Sequence, residues 1–310
     1  MILLAVSGGI DSMYLLNRAG DFFPGENFAV AHCNFRLRGV ESDGDETFVR
    51  EWCDSHGIKS FTKRFDTAGY AVSKGISIEM AARELRYAWF AELCVTEGFR
   101  GVAVAHNSND NAETLILNLL RGTGSRGARG MAECSPLPGT DGKAVILRPL
   151  LGIERKDIED WMRNQGQDWR EDRTNSENVY KRNLIRNEVF PLFSKINPSF
   201  LRTLGRDMEH LAQTDEIAEE YFAACATEIS SATCSGISID LTSLLKRKHW
   251  KYILWRLLEP FNFSYETLGK LTDLLEKFKN EPRGTVTLGG KKFESPTNVL
   301  IAGSKKLIVS

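Results

Sequence analysis

The stretch SGGIDS, residues 7–12, places glycines, hydroxyls and a carboxylate in a pattern that suits a phosphate site. Gly8 and Gly9 let the backbone turn tightly and approach a ligand closely. An apolar run precedes the turn and helical spacing follows it, so unpaired N–H groups and the helix dipole favour an anion there. Asp11 would repel a bare polyphosphate, which predicts a divalent cation, Mg²⁺, between them. The alternative is an ordinary helix start in which Asp11 complements the dipole.

A second acidic group lies in AHNSNDNAET, residues 105–114. His106, Asp110 and Glu113 recur at helical spacing and share one helix face. Two carboxylates and an imidazole facing one crevice could align a substrate, handle protons and help hold a metal. The alternative is that these acidic residues complement the first helical turn.

Arginines follow the predicted strands and helices at two places. Arg83 and Arg86 stand among core-type residues of a long amphipathic helix, and Arg36 and Arg38 follow the second predicted strand. A guanidinium stabilises phosphate oxygens without needing to titrate. Structural ion pairs and solvated loops are the alternatives.

The stretch YKRNLIRNEVFP, residues 180–191, is basic. Lys181, Arg182 and Arg186 stand beside Tyr180 and Asn183. Cations next to an aromatic ring suit an RNA backbone and unstacked bases, so these three residues are predicted to bind RNA. A solvated charged face is the alternative.

The surrounding pattern predicts how these groups are positioned. Residues 1 to about 150 alternate short apolar runs with helical patterns, which predicts an α/β fold, a Rossmann-like parallel sheet with helices on both faces. In such sheets ligands bind beyond the carboxyl ends of the strands. The segment from Ser125 to Gly142, rich in Gly and Pro, is predicted to be a mobile loop. We predict one domain over residues 1–195 and a smaller, mainly helical domain with short terminal strands over residues 196–310.

Composition narrows the functional classes. The chain is 42% hydrophobic and 26% charged, as expected of an ordinary globular protein, and has neither a membrane-spanning run nor an export signal. Its six cysteines form no C-x-x-C pair, which argues against zinc, iron–sulfur and dithiol sites and predicts a cytoplasmic protein. Residues 242–310 carry a balance of +7 and the preceding residues −8. The basic end predicts an anionic partner, with a solvated face as the alternative.

These stretches together resemble a known family. SGGIDS is similar to the S-G-G-x-D-S motif of the PP-loop (N-type) ATP pyrophosphatases. Within that superfamily, four stretches in order resemble the tRNA(Ile)-lysidine synthases: AVSGGIDSMYLL, NFRLRGVESDGDETFV, AHNSNDNAETLILNLLRGTG and YKRNLIRNEVFPLF. They span roughly the first 190 residues. The remainder resembles the family's helical substrate-binding region more weakly. The resemblance thus implies a catalytic domain over residues 1–195 and a tRNA- or substrate-binding domain over residues 196–310.

The resemblance implies a reaction and its participants. ATP activates the C2 carbonyl of the wobble cytidine in an isoleucine tRNA with a CAU anticodon, and the amine of free L-lysine then displaces AMP to give lysidine. Mg²⁺ accompanies ATP, and a homodimer is left open. The resemblance implies catalytic roles for Asp11, Arg86, His106, Asp110 and Glu113, ATP binding by Ser7, Gly8, Gly9, Ile10, Asp11 and Ser12, metal binding by Asp11, and RNA binding by Lys181, Arg182 and Arg186.

Two positions depart from the family pattern, and three rival functions are open. Asn109 stands where a paired aspartate is usual, and Phe35 where a histidine is common. A tRNA-thiolating PP-loop enzyme would need catalytic cysteines or a C-x-x-C pair. A PP-loop enzyme that forms a small-molecule amide would leave the basic stretch at 180–191 without a role. A nucleotide-binding regulator without catalysis would not need the carboxylates Asp11, Asp110 and Glu113.

Overall fold

The computed structural model describes residues 1–171, 181–234, 236–280, 290–295, 298–303 and 306–309. The chain divides into an N-terminal unit, Met1–Ala212, and a C-terminal unit, Gln213–Ser310. Each unit has hydrophobic clusters of its own.

The described strands of the N-terminal unit form one six-stranded sheet. They are β1 (Ile2–Ala5), β2 (Phe28–Asn34), β3 (Ser60–Arg64), β4 (Gly101–Ala103), β5 (Cys134–Pro136) and β6 (Val145–Leu147), in the order β3-β2-β1-β4-β6-β5. Every neighbouring pair is parallel except β5 with β6. The strand order reverses at β1 and β4, so the segments that leave these two strands diverge and open a crevice at that edge.

Helices cover both faces of this sheet, as predicted. The described helices that begin in this unit are α1 (Ile10–Asn17), α2 (Ala19–Phe22), α3 (Val40–Ser55), α4 (Thr67–Lys74), α5 (Ile78–Glu97), α6 (Ser108–Arg121), α7 (Ser125–Ala128), α8 (Arg155–Asn164), α9 (Lys181–Leu184), a π-helical turn (Ile185–Val189), α10 (Phe190–Ile196) and α11 (Phe200–Ile229), which continues into the C-terminal unit. Side chains of β1 alternate between the faces. Ile2 and Leu4 pack in a cluster with α1, α3 and α8, whereas Leu3 packs in a cluster with α5.

The segment from Ser125 to Gly142, predicted to be a mobile loop, contains regular structure. It includes α7 and the antiparallel edge strand β5, in which Ser135 is opposite Ile146 of β6. The buried Arg148 donates to the carbonyl of Ala132 at 2.7 Å and to the hydroxyl of Ser135 at 3.1 Å. A three-residue strand that ends in proline is too short to show a period in the sequence, so the pattern did not predict β5. The mobility of the segment stays a prediction.

The C-terminal unit contains a second sheet. Its described helices beyond α11 are α12 (Leu241–Leu245), α13 (Trp250–Leu258), a 3₁₀ turn (Glu259–Phe261) and α14 (Tyr265–Asn280). The strands β7 (Ser230–Ala232), β8 (Ile237–Asp240), β9 (Lys291–Glu294), β10 (Val299–Ala302) and β11 (Lys306–Val309) form an antiparallel sheet in the order β7-β8-β11-β10-β9.

The prediction that this region is mainly helical is therefore wrong. Its strands are three or four residues long, so their alternation of buried and exposed side chains is brief. Leu307 and Val309 of β11 are fully buried, and Ile308 between them is exposed. The longer helical patterns of the sequence concealed this short signal. In the part of the chain that the structure describes, no helix has the length and apolar character needed to cross a membrane.

Candidate active site

The loop between β1 and α1 is held together by one serine. The Ser12 hydroxyl accepts hydrogen bonds from the N–H groups of Ser7 and Gly8, each at 3.1 Å, and donates to the carbonyl of Gly9 at 2.8 Å. Gly8 has a φ of +94°, a conformation that favours glycine. The N–H of Arg170 donates to the Gly8 carbonyl at 2.9 Å. The turn is thereby fixed at the N-terminal end of α1, where anions are favoured.

Asp11, in the first turn of α1, has a partner on each carboxylate oxygen. Oδ1 accepts from Nδ2 of Asn107 at 3.0 Å, and Oδ2 accepts from Nη1 of Arg155 at 2.5 Å. Burial raises the pKa of Asp11, Arg155 opposes this rise, and the charge of Asp110 adds to it. The carboxylate is thus oriented by residues 96 and 144 positions away in the chain.

Asn107 joins this carboxylate to the start of α6. Its Oδ1 accepts from the N–H of Asp110, and Oδ2 of Asp110 accepts from the N–H of Asn107, both at 3.1 Å. This reciprocal capping box fixes the first turn of α6. Because Asn107 is only 2% exposed and its amide also donates to Asp11, one side chain aligns two segments of the site. The neighbouring Asn109 accepts from the N–H of Arg155 at 3.0 Å, so α8 is attached to the same turn.

Asp110 and Glu113 share one arginine. Nη2 of Arg186 lies 3.2 Å from Oδ1 of Asp110 and 2.7 Å from Oε1 of Glu113, and its Nε donates to the same Glu113 oxygen at 2.8 Å. Glu113 is completely buried, and its Oε2 has no hydrogen-bond partner among the described residues. Burial raises the pKa of Glu113, and the charge of Arg186 counteracts the rise. Two carboxylates and one guanidinium therefore form a compact charged group.

His106 is a neutral imidazole in this environment. Burial lowers its pKa to about 4, although the charge of Asp110 opposes this shift. Its Nδ1 is buried and has no hydrogen-bond partner in the described part of the chain. Because His106 also lines the cleft, its ring offers a ligand an uncharged hydrogen-bonding group at neutral pH.

The predicted arginines fall into different settings. The guanidinium of Arg86 lies over the ring of Phe35, 5.2 Å from its centroid, and that of Arg83 lies over Tyr87 at 4.9 Å. Arg38 pairs with the buried Asp45 at 2.8 Å. The remaining one, Arg36, follows β2 with a φ of +54°.

Asp45 also anchors the segment that crosses the loop after β1. It accepts from Nε of Arg170 at 3.0 Å. Since the backbone of Arg170 also donates to Gly8, α3 supports the loop through this aspartate and arginine. The pair places a further cation at the site.

These groups surround a cleft of about 880 Å³ at the carboxyl edge of the sheet. Of the predicted site residues, those that line it are Ser7, Gly9, Ile10, Asp11, Ser12, Arg86, His106, Asp110 and Arg186. Further lining residues include Cys33, Phe35, Arg155, Glu159, Arg163, Trp169 and Arg170. The wall from β2 and α5 is apolar apart from Arg86, and the wall from α1, α6 and α8 is charged.

Four other predicted site residues do not line the cleft: Gly8, Glu113, Lys181 and Arg182. Glu113 lies buried behind Asp110, paired with Arg186 as described above. Arg182 donates to the Thr114 hydroxyl at 3.3 Å, beside α6, and Lys181 is exposed. The aromatic neighbour in that prediction, Tyr180, lies outside the described residues. The RNA-binding role of Lys181, Arg182 and Arg186 stays a prediction, and Arg186 additionally faces the carboxylates of the cleft.

The sequence reasoning missed three contributors: Asn107, Arg155 and the Asp45–Arg170 pair. Asn107 was detectable in principle, because Asn-x-x-Asp before a helix is a variant of the capping-box pattern. The contact of Arg155 with Asp11 joins residues 144 positions apart, and no local period reveals it. The same holds for Arg170 and Asp45, which are 125 positions apart.

The donor set bears on whether Mg²⁺ fits. Among the described residues no group of three or more His, Cys, Asp or Glu side chains could hold a metal ion. Mg²⁺ that accompanies a nucleotide usually takes one or two carboxylates, with phosphates and water as its other ligands. Asp11 lines the cleft beside an anion-favouring turn and fits this mode of binding, with Mg²⁺ sharing the oxygens that accept from Asn107 and Arg155.

Comparison with known proteins identifies two family models in this chain. A PP-loop domain matches residues 1–193, and a TilS substrate binding domain matches residues 233–310. The tRNA(Ile)-lysidine synthase of Parabacteroides distasonis is 38% identical over 303 residues, which cover 97% of this chain and 63% of the relative. That of Bacteroides thetaiotaomicron is 39% identical over 294 residues, which cover 95% of this chain and 63% of the relative. The chain thus spans about 63% of the length of these curated relatives.

A solved structure shows the same fold. The U34-tRNA thiolase NcsA from Methanococcus maripaludis, with its [4Fe-4S] cluster, superposes with a TM-score of 0.56 at 16% identity, covering 68% of this chain and 72% of that chain. This likeness concerns the fold alone. The family-model match over residues 1–193 and the alignment with the curated relatives confirm the resemblance seen in the sequence. The chain belongs to the PP-loop family, within which it groups with the tRNA(Ile)-lysidine synthases.

Proposed function

We propose that this chain is a tRNA-modifying ligase that joins free lysine to the wobble cytidine of an isoleucine tRNA with a CAU anticodon. In the first step the C2 oxygen of the cytidine attacks the α-phosphorus of ATP, and pyrophosphate leaves. In the second step the ε-amine of lysine adds at C2, AMP leaves with that oxygen, and the amine releases a proton. The products are lysidine, AMP and pyrophosphate.

One observation carries this proposal: the acidic groups beyond β1 and β4 meet in one cleft. Asp11 is connected to the first turn of α6 through Asn107, and that turn presents Asp110 and His106 to the same space. A cleavage that releases pyrophosphate needs the outer phosphates bound and the α-phosphorus exposed. The short loop of residues 7–12 can bind the outer phosphates, and the open cleft beside it leaves the α-phosphorus accessible.

The residues of the cleft have separable proposed roles. The backbone N–H groups at the start of α1 and the hydroxyls of Ser7 and Ser12 bind the two outer phosphates, while the N–H groups of Ser7 and Gly8 keep the loop in shape through Ser12. The Arg86 guanidinium stabilises charge on the inner phosphate. Neutral His106 hydrogen-bonds the nucleotide or the cytosine without adding charge. Mg²⁺, held by Asp11 and the phosphates, would neutralise the leaving pyrophosphate.

The two carboxylates of α6 differ in their access to lysine. Asp110 lines the cleft, whereas Glu113 is fully buried and paired with Arg186. We therefore assign the first contact with the lysine amine to Asp110. Glu113, which we propose helps to orient or deprotonate that amine, would act through the shared Arg186. Single-turnover assays of Glu113→Gln test this role of Glu113. A normal rate of lysine attack in the variant would contradict it.

The thiolase alternative lacks a suitable nucleophile in the cleft. Cys33 is the cysteine among the described residues that lines it. Burial raises the pKa of the Cys33 thiol to about 12, so it stays protonated and weakly nucleophilic at neutral pH.

The C-terminal region has its own proposed role. We assign catalysis to residues 1–195 and tRNA contact to residues 196–310, whose terminal part is basic. A basic surface that binds tRNA releases counterions, so affinity should fall steeply as salt rises. Changing the exposed Lys246 and Lys248 to Gln should reduce the slope of log affinity against log salt by about one for each phosphate that the variant no longer neutralises. An unchanged slope would contradict this assignment. The homodimer stays a prediction, which sedimentation of the purified chain tests.

The deciding experiment supplies ATP, radiolabelled lysine and unmodified isoleucine tRNA with a CAU anticodon. Label should enter the tRNA, with one pyrophosphate released for each lysine incorporated. The same tRNA with its wobble cytidine changed to uridine is the matched control and should take up no label. Pyrophosphate release that does not depend on tRNA would favour the enzyme that forms a small-molecule amide. Tight ATP binding without turnover would favour the regulator.

A further inference from the structure

We propose that Phe35 is a positioning residue for Arg86, holding its guanidinium in the cleft while leaving its N–H groups available to phosphate oxygens. The proposal rests on the proposed function through the role given to Arg86. Both residues line the cleft, and the guanidinium lies 5.2 Å from the centroid of the Phe35 ring. This distance is within the range of a cation–π interaction.

Arg86 differs from other arginines of the cleft in what holds it. Arg155 pairs with Asp11 and Glu159, and Arg186 pairs with two carboxylates of α6. Within the part of the chain that the structure describes, Arg86 takes part in no hydrogen bond or ion pair, and its contact is the ring of Phe35. An aromatic face attracts the cation without accepting its five N–H donors in directional hydrogen bonds. Arg86 is therefore positioned yet uncommitted, as a residue that must bind phosphate oxygens should be.

The ring itself is fixed by neighbours from several elements. Phe35 stacks on Phe65, with 5.6 Å between centroids and 20° between planes, and Phe65 meets Trp89 edge-on at 6.0 Å. The buried Thr67 donates its hydroxyl to the carbonyl of Phe35 at 3.0 Å. A rigid aromatic wall of this kind gives Arg86 one preferred location at low cost in side-chain entropy.

The chemistry of the side chain at position 35 decides how it can hold Arg86. A histidine at residue 35 would offer a poorer π-face and, when protonated, would repel the guanidinium. A carboxylate there would hold Arg86 more firmly but would occupy its donors. Phenylalanine holds the cation at every pH and leaves the donors free.

The first test observes the contact itself and needs no activity. In protein labelled with ¹⁵N-arginine, the side-chain resonances of Arg86, assigned through Arg86→Lys, should show the ring-current shift of a group above an aromatic face. Phe35→Leu should abolish that shift, and Phe35→Tyr should retain it. Phe61→Leu is the matched control, because it removes another aromatic ring with a cation above it (Lys59 at 4.5 Å) that does not line the cleft. Unchanged chemical shifts of Arg86 in the Phe35→Leu variant would overturn the proposal.

The second test is a double-mutant cycle on the dissociation constant for Mg·ATP, measured by calorimetry. Phe35→Leu should weaken binding by about 10-fold and Phe35→Tyr by much less. In the Arg86→Gln background Phe35→Leu should have no further effect, whereas a merely structural role of the ring would weaken binding equally in both backgrounds and would overturn the proposal. If the unmodified chain binds no Mg·ATP, the proposed function fails, and the resonance comparison still decides the contact.

Discussion

The two units differ in what they bury. Buried polar and charged side chains of the N-terminal unit include His32, Asn34, Asp45, Glu46, Asn107, Glu113 and Arg148. Among the described residues of the C-terminal unit the corresponding set is Asp215 and Thr272, in a core of leucine, isoleucine, valine and aromatic residues. A buried polar group costs free energy unless it is paired, so a unit retains many of them where they serve a site.

The location of these groups supports this interpretation. Asn34 ends β2 and donates to Asp43 and Glu46, while Asn107 follows β4 and donates to Asp11. Buried polar contacts thus gather at the carboxyl ends of parallel strands, where ligands bind in such sheets. The apolar core of the C-terminal unit instead suits a scaffold that presents a surface. Changes in the N-terminal unit should therefore affect chemistry first, and changes in the C-terminal core should affect stability first.

The largest expected effect comes from Asp11→Asn. We expect adenylation of the tRNA to fall by about 1,000-fold, since the site loses the carboxylate proposed to hold Mg²⁺. Stability should not fall, because burial already disfavours the ionised form of Asp11 and raises its pKa. Rapid-quench assays of AMP–tRNA formation measure the first quantity and urea unfolding the second. The control Asp21→Asn changes an exposed aspartate paired with Arg18 and should leave both adenylation and stability unchanged. Near-normal adenylation by Asp11→Asn would contradict the assignment.

A core change in the other unit should show the opposite pattern. Leu254 of α13 is fully buried, so Leu254→Ala should cost about 2–5 kcal/mol of unfolding free energy. The affinity of the Leu254→Ala variant for Mg·ATP, measured by calorimetry on the folded protein, should not change. Ile217→Ala removes an aliphatic side chain that is 70% exposed on α11 and serves as the control, with little change in stability expected. Loss of Mg·ATP affinity in folded Leu254→Ala would weaken the contrast between the units.

The pH dependence of stability tests the burial of His106. Burial lowers its pKa to about 4 in the folded chain, and an unfolded histidine titrates near 6.5. Between these values the unfolded chain binds more protons, so the unfolding free energy falls as pH is lowered through that window. At pH 5 this histidine should account for a loss of about 2 kcal/mol relative to pH 7, and His106→Gln should remove that part. His56→Gln, at an exposed histidine, should leave the difference intact. The same loss of stability between pH 7 and pH 5 in both variants would contradict the assignment of this loss to His106.

The smallest effect separates capping from catalysis. Asn107→Ala removes the cap of α6 and should cost about 1 kcal/mol of stability. It should also weaken Mg·ATP binding, since Asp11 loses the donor on Oδ1. Ser77→Ala removes the cap of α5 and should cost a similar amount without changing nucleotide affinity. Equal Mg·ATP affinities in the two variants would show that Asn107 is a cap and nothing more.

Much of the N-terminal fold followed from local pattern. Continuous apolar runs such as Ile2 to Val6 predicted buried parallel strands, and the structure confirms the sheet with helices on both faces. The placement of Asp11, His106 and Asp110 in one cleft followed from a general rule about strand ends, and no knowledge of their contacts was needed.

Other features depend on contacts between distant segments. The pairing of Arg186 with Glu113 joins residues 73 positions apart, so a basic stretch that pattern alone assigns to RNA also neutralises buried carboxylates. The C-terminal sheet was underestimated for a different reason. Its strands are three or four residues long, and some are separated by stretches outside the described residues. Their few alternations of buried and exposed side chains are outweighed by the long helical patterns of α11 and α14.

The most direct measurement is a crystal structure of this chain with Mg²⁺ and an ATP analogue that cannot be cleaved between the α- and β-phosphates. Our account predicts the β- and γ-phosphates against the backbone of residues 7–12, the metal on Asp11, and the α-phosphate beside Arg86 and open to the cleft. A triphosphate bound elsewhere, with no contact to that loop, would contradict it.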